Sequence, residues 1–375
     1  MKTNLSSLEV TYLVKELQVL VGAKVEKIFQ TDKPKEDFLF SLHVPSVGKK
    51  YLFISLPNFM CLTSFKPLFP QLPPAFCSSL RRKITNAKIV SIEQVDFERI
   101  VKIVFSTKNG PSHLIIELLP PGNIILTLPD DNNKIIAVLH SKIWSDERKI
   151  LHNYPYVFPK KQLDPRTLSF EEFSNLVKTS NKDSIVKTLA IETSLGGLFA
   201  QEVLSSAKVE RAIPSSEITD DQMKSIFNSL NNLFTKDISA SLVDSQALPF
   251  TLHSFACGKK ASSFNEAIAS IALSNLEHAE EREHNKSSKD ELTKVQKIIK
   301  AQSSSLSNLE KAQVEKRKKG ELIYNNYSEI DNLLKQILEL RKTLSWSEIK
   351  DQFKDHPLKV KIDEHKGTVN VELNE

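Results

Sequence analysis

Between Val25 and Val138 the chain is a succession of short β-rich runs: KVEKIFQ, FLFSLHV, YLFISL, AKIVSIEQV, RIVKIVFS, HLIIELL, NIILTL and KIIAVL. Asp, Asn, Gly, Pro and Lys punctuate them. Runs this short, rich in β-branched and aromatic residues and closed by turn formers, pair as an antiparallel sheet or sandwich. A β-rich lobe over residues 1–165 is therefore the expectation. One run carries an oddity. In VDFERIVKIVF, residues 95–105, Glu98 and Arg99 stand side by side in an apolar stretch. Successive strand residues point to opposite faces, so one of the two would enter the core unless the chain bulges or turns there.

Helices flank this lobe. Leu5, Leu8, Tyr12, Leu13, Leu17 and Leu20 recur at helical spacing over residues 4–20, and Ser6 with Glu9 matches a capping box. PPAFCSSLRRKITN reads as a short helix opened by prolines and closed by Arg81, Arg82 and Lys83. After YPYVFPKKQLDP the pattern turns helical over residues 166–275, with a capped start at Ser169. Gly196 and Gly197 break IVKTLAIETSLGGLFAQEVLSSAKV into two helical stretches. SLGGLFAQEVL resembles the hairpin of a helix–hairpin–helix element, whose glycines allow a tight turn and close approach to a phosphate. The alternative is a glycine C-cap followed by a core helix.

Residues 276–341 are charged, contain no proline, and carry heptads. One seam runs Leu292, Ile299, Leu306, Gln313, Gly320, Tyr327, Leu334; the other runs Val295, Gln302, Leu309, Lys316, Ile323, Ile330, Ile337. A seven-residue apolar repeat implies a coiled-coil helix. Residues 342–375 form a small truncated segment, in which LKVKIDEHKGTVNVEL reads as a β-hairpin. The fold class expected is α+β.

With 40% hydrophobic and 26% charged residues the chain has enough apolar material for a core. No run is long and apolar enough to span a bilayer, and the first residues do not form a signal peptide, so no membrane partner and a cytoplasmic location are expected. Cys61, Cys77 and Cys257 lie far apart, which suits a reducing compartment and buried thiols. No Cys-x-x-Cys or His-x-x-x-His spacing, nucleophile elbow, Walker loop or dinucleotide fingerprint occurs. Neither a metal, a cofactor, a catalytic residue nor a small-molecule substrate is therefore expected. The net charge of +5 permits a nucleic-acid partner without requiring one.

What remains is a set of polar residues in apolar surroundings: Glu9, Glu98, Arg99, Glu117 and Asn123, with the basic run Arg81–Lys83. Each has a structural reading: Glu9 caps its helix, Arg99 pairs with a carboxylate, and the basic run complements a helix dipole. Taken in order, LSSLEVTYLVKELQ, PPAFCSSLRRKI, VDFERIVKIVF, HLIIELLPPGNIILT, LGGLFAQEVL, SSFNEAI and KKGELIYNNYSEI resemble the NFACT family of RqcH-, NEMF- and FbpA-type proteins over essentially the whole chain.

That resemblance implies a lobe related to MutM-type glycosylases, a helix–hairpin–helix region, a coiled coil and a middle domain. It implies a non-enzymatic factor of ribosome-associated quality control, whose partners are tRNA and the large ribosomal subunit with peptidyl-tRNA. In this role the ribosome makes the peptide bonds of the C-terminal tail. The family has Asp where this chain has Glu9, and Asp-Arg where it has Glu98-Arg99. The resemblance thus implies tRNA binding by Glu9, Glu98 and Arg99. Arg81, Arg82, Lys83, Gly196 and Gly197 are the candidates for RNA phosphates. The family's returning helix and C-terminal RNA-binding domain are missing, so the chain reads as a fragment. Two other classes compete. A glycosylase-like DNA repair protein would need an N-terminal proline, where this chain starts Met1-Lys2-Thr3. A fibronectin-binding adhesin would need a secretion signal.

Overall fold

The computed structural model describes residues 4–31, 36–67, 69–160, 163–255, 258–354, 357–363 and 366–373, without the side chains of 277–292. Cys257, the start Met1-Lys2-Thr3 and the side chain of Leu292 lie outside the described residues. The chain divides into two compact units, Met1–Glu280 and Glu281–Glu375.

The first unit opens with α1 (Ser7–Leu17), whose capping box pairs Ser6 and Glu9 as the sequence predicts. Strands β1 (Lys24–Gln30), β2 (Asp37–Val44), β3 (Gly48–Ser55) and β4 (Phe59–Thr63) form one meander. Helix α2 (Ala75–Ile84) follows, and then β5 (Lys88–Gln94), β6 (Ile100–Thr107), β7 (Gly110–Glu117), β8 (Asn123–Leu128) and β9 (Lys134–Val138) form a second. The two join edge to edge through β1 and β5 into one nine-stranded antiparallel sheet, in the order β4-β3-β2-β1-β5-β6-β7-β8-β9. Strand β4 escapes the sequence reading. FMCLT has one β-branched residue and no clear alternation, and it becomes a strand because β3 pairs with it along its length.

The near-continuous apolar runs of β6 to β8 have a simple cause: both faces are covered. Val101, Ile103, Leu114, Ile116, Ile124 and Leu126 enter the main core, while Ile100, Ile115 and Ile125 enter a second cluster with Ile135, Ile150 and Tyr156. A small hairpin, β10 (Lys142–Ile143) with β11 (Lys149–Ile150), lies in the chain just after β9. Its Ile150 belongs to the second cluster.

The helical region contains α3 (Phe170–Thr179), α4 (Ile185–Glu192), α5 (Gly196–Ala207) and α6 (Asp220–Thr235). Short strands β12 (Ser241–Val243), β13 (Gln246–Leu248) and β14 (Lys259–Lys260) follow. Phe173, Phe199, Leu230 and Phe250 share one continuous hydrophobic core with Leu8, Leu13 and Phe53. The β-rich lobe and the helices are thus packed as one body. Tyr12 ties them: its hydroxyl donates to Leu233 O at 2.7 Å and Lys236 O at 3.0 Å, closing the C-terminal end of α6. Burial first, then Asp237, pushes that hydroxyl up to about 12.

Helix α7 runs Phe264–Asn325, so it begins twelve residues before the expected 276. Its first turns are core, with Phe264, Ala267 and Ile268 buried, which the heptad pattern could not register. The seam residues Val295, Ile299, Leu306, Leu309 and Ile323 are exposed, and no coiled-coil partner covers them among the described residues. The helix also ends earlier than 341: after Asn326 a separate helix α8 (Tyr327–Leu340) starts. With α9 (Trp346–Gln352), β15 (Val360–Asp363) and β16 (Thr368–Val371) it builds the small core of the second unit, where Leu333, Ile337, Ile349, Phe353 and Ile362 meet. The expected terminal hairpin is β15–β16.

Candidate nucleic-acid interface

The chain resolves the Glu98–Arg99 oddity by turning. Strand β5 ends at Gln94, Asp96 takes a positive φ of 49°, and Val95 N donates to Ile100 O at 2.9 Å across the turn. Phe97 anchors it: the ring is buried and meets Phe234 of α6 edge to face at 5.5 Å. With Phe97 inside, the next two side chains leave the core half-buried.

Gln94 holds this turn to the first turns of α1. Its Nε2 donates to Ser7 O at 2.8 Å and to Glu98 O at 2.9 Å, while its Oε1 accepts from Thr11 Oγ1 at 2.6 Å. Arg166 adds a further brace, donating to Gln94 Oε1 at 3.4 Å and to Asp96 O while paired with Asp164. Gln94, Phe97 and Arg166 are positioning residues that the sequence reading missed. A buried aromatic between Asp96 and Glu98 is the only local signal that could have found one of them.

Arg99 is the available chemistry of this turn. Its carbonyl accepts Leu118 N at 2.8 Å, but no hydrogen bond or ion pair holds its guanidinium among the described residues. Burial lowers the Arg99 pKa, and the adjacent Glu98 charge opposes that shift. Burial likewise raises the Glu98 carboxyl, against the pull of the Arg99 charge and backbone N–H, with Asp96 adding to the rise. A partly desolvated guanidinium without an internal partner gains more than a hydrated one from a phosphate or a base edge.

The other candidates separate. Glu9 is 1% exposed and its carboxylate accepts Ser6 N at 2.6 Å and Ser6 Oγ at 2.8 Å, the cap expected of it. The cavity beside it holds only about 30 Å³, far too little for a base. Arg81 is spent in part on the fold: Nε donates to Ile28 O at 2.6 Å and the guanidinium lies 5.6 Å from the Phe29 ring. Arg82 and Lys83 are exposed at the same helix end. Gly196 opens α5 with φ +75°, a conformation that favours glycine, and open space surrounds both it and Gly197. Among the described residues no hydrogen bond or ion pair links Arg81–Lys83 or the glycines to the Glu98–Arg99 turn.

Glu117 and Asn123 pair with one another across β7 and β8 and face the second cluster. Glu117 Oε1 accepts Arg148 Nη2 and the Tyr156 hydroxyl, each at 2.6 Å. Burial and then the Glu117 charge raise the Tyr156 hydroxyl pKa, so it stays a donor. Asn123 exchanges two hydrogen bonds with the His140 backbone, at 2.9 and 3.0 Å. Among the described residues no group of three or more His, Cys, Asp or Glu could hold a metal ion, and no helix is long and apolar enough to cross a membrane.

Comparison with known proteins bears on what this arrangement serves. The archaeal Rqc2 homolog aRqcH of Methanocaldococcus jannaschii is 29% identical over 379 residues, covering 96% of this chain and 56% of that protein. The human ribosome quality control complex subunit NEMF is 23% identical over 384 residues, 93% of this chain and 35% of its own length. The chain thus spans little more than half of the one and about a third of the other. Among solved structures, the N-terminal part of the fibronectin/fibrinogen-binding protein of Streptococcus suis superposes with a TM-score of 0.60 at 21% identity, covering 72% of this chain and all of that one. That likeness establishes the fold of the first unit's sheet and helices. MutM of Thermus thermophilus superposes with a TM-score of only 0.32 at 11% identity. The family model for the NFACT N-terminal and middle domains matches residues 6–370, from the cap of α1 to the last strand. With nearly every element inside that match, the chain belongs to the NFACT family.

Proposed function

We propose that this chain is the tRNA-engaging part of a ribosome-associated quality control factor. It binds the large ribosomal subunit carrying obstructed peptidyl-tRNA and recruits tRNA for C-terminal tailing of the stalled chain. The ribosome makes the peptide bonds, and this protein positions the tRNA, an orientation effect that needs no catalytic side chain. Membership of the NFACT family and the name of the human relative, a ribosome quality control complex subunit, support the reading.

The observation that carries it is Arg99. A guanidinium held half-buried by a braced turn, with no hydrogen bond or ion pair among the described residues, is a planar fork ready for phosphate or base edges. Glu98 beside it accepts hydrogen bonds from amino or hydroxyl groups and biases the orientation of the fork. Arg82 and Lys83 supply sequence-independent attraction to the phosphate backbone.

The test is co-sedimentation of the wild-type chain and Arg99→Ala with split large subunits, sequencing the RNA that comes down. Enrichment of tRNA that Arg99→Ala abolishes supports the reading. Binding to damaged duplex DNA or to fibronectin, at the same salt and with no tRNA enriched, overturns it.

A further inference from the structure

We propose that the end of the nine-stranded sheet away from Arg99 docks a double-helical segment of the large subunit's RNA. It grips the phosphates and reads no base. The inference rests on the large-subunit reading above and names the surface that serves it.

Strand pairing builds this surface. Residues directly opposite one another in antiparallel strands project from the same face. Lys49 of β3 pairs with His43 of β2, and His43 with Lys24 of β1. Lys24 pairs in turn with Lys88 of β5, and Lys88 with Ser106 of β6. Three lysines and an imidazole thus stand side by side on four neighbouring strands, and all four residues are exposed.

Such a row works against the sheet that carries it. Like charges directly opposite one another are destabilising, and Lys24 faces Lys88 at the register pair through which β1 joins β5. The backbone fixes that pair: Ile89 N donates to Ala23 O at 2.8 Å, and Val25 N to Ala87 O at 3.0 Å. A carboxylate reaches only the end of the row. Glu26 Oε2 lies 3.7 Å from Lys49 Nζ and also accepts Ser41 Oγ at 2.9 Å. Among the described residues no hydrogen bond or ion pair holds the ammonium of Lys24 or Lys88. An external polyanion supplies the charge that the fold leaves out.

The form of the row selects the polyanion. Adjacent strands lie ~4.8 Å apart, so four of them spread the row over about 14 Å. One strand of a duplex sets about four phosphates along that length, at ~3.4 Å of axis each. The row itself has no aromatic ring, the platform on which single-stranded bases stack. Tyr51, the next ring on that face of β3, already lies 5.5 Å from Lys49 Nζ. Nor has the row an apolar centre, which a protein partner would bury. Duplex RNA, by contrast, is held through its shape and its phosphates. Arg99 precedes Ile100, the first residue of β6, whereas Ser106 lies beside its last, Thr107, about 20 Å along the strand. A tRNA at Arg99 and a subunit helix at the row therefore use different groups.

The test uses the whole chain with three probes: large subunits free of tRNA, a blunt RNA duplex of about 16 base pairs, and a U-rich single strand of that length. Wild type binds the subunits, and it binds the duplex more tightly than the single strand. Lys24→Gln with Lys88→Gln weakens subunit and duplex binding about tenfold and lowers the salt slope for the duplex by roughly 2. Its melting temperature equals or exceeds that of wild type, because a repulsive pair is gone. That separates a lost contact from a lost fold. Lys178→Gln with Lys187→Gln removes the same charge from exposed positions on α3 and α4 and leaves the slope unchanged. Equal losses in the two double variants, or wild-type binding by Lys24→Gln with Lys88→Gln, overturn the proposal. So does subunit binding lost with duplex binding kept, which assigns the row to a ribosomal protein. In each of these outcomes the large-subunit reading stands, whereas a wild-type chain that binds no subunits refutes both.

Discussion

Glu16 caps the helix that starts at Phe264. Its Oε1 accepts Phe264 N at 3.0 Å and its Oε2 accepts Asn265 N at 2.6 Å. The first N–H groups of a helix have no partner within the helix, and a carboxylate there also meets the positive end of the dipole. Across almost the whole first unit in sequence, α1 thus fixes where α7 begins. Glu16→Ala leaves both N–H groups unpaired and should cost about 1–2 kcal/mol, in the range of lost caps. Thermal melting measures this directly; a melting temperature equal to wild type would mean that water caps α7 equally well.

Arg99→Ala should weaken tRNA binding by about 1–3 kcal/mol, the range for hydrogen bonds to charged groups. Because Arg99 makes no ion pair among the described residues, its melting curve should match wild type. Arg99→Lys should recover only part of the affinity, since an ammonium cannot reproduce a bidentate fork. A variant that melts lower but binds normally would make Arg99 a structural residue.

Arg81 and its neighbours should part company. Removing Arg82 and Lys83 together should flatten the salt dependence of RNA binding, by roughly 0.7–0.9 in log–log slope for each phosphate no longer neutralised. Arg81→Gln should act mainly on stability, because Arg81 donates to Ile28 O. The slope of affinity against salt for the double variant decides it: no change removes this helix end from the interface.

Glu9 and Glu98 should differ as well. Glu9→Asp shortens a capping side chain and should cost up to about 1 kcal/mol in melting stability. Glu98→Asp withdraws a carboxylate from beside Arg99 by about a bond length, and positioning errors of ~1 Å can change rates on the order of a hundredfold. In a full-length context, tail length on stalled chains should therefore follow Glu98→Asp more than Glu9→Asp. Identical tails in wild type, Glu98→Asp and Glu98→Gln would take Glu98 out of the site.

Acid should loosen the packing of α5 against the segment after β13. Burial alone would raise the Glu202 carboxyl, but the His253 backbone N–H and ring at 2.8 and 2.9 Å and Lys236 Nζ at 3.1 Å outweigh it and hold it below its usual value. A depressed folded-state pKa gives stability that is complete above the unfolded value, ordinarily about 4.3, and lost as pH falls through the folded one. Wild type should lose stability below about pH 4.3 more steeply than Glu202→Gln, which is already weaker at neutral pH. Parallel acid limbs for the two proteins would count against this linkage.

Much of the architecture could be read from local pattern. The Ser6–Glu9 cap, the Ser169 helix start, most of the sheet and the final hairpin follow from hydrogen-bonding preference and hydrophobic period. These act within a few residues, so a sequence displays them directly. The polar residues worth attention were visible too, because Glu98, Arg99, Glu117 and Asn123 interrupt apolar runs.

What each of those residues does was decided by partners distant in sequence. Gln94 looks like an ordinary strand end, yet it joins α1, the β5–β6 turn and Arg166. Arg81 donates to a carbonyl of β1, whereas the Arg99 guanidinium has no hydrogen bond or ion pair among the described residues, a difference that neither arginine's neighbours in sequence reveal. Helix α7 starts at Phe264 because Glu16 and the core wait for it there, not because its own pattern changes. Sequence sets the local conformations, whose energies depend on near neighbours. Burial and long-range hydrogen bonding set which charges remain for a ligand, and those exist only once the chain has packed.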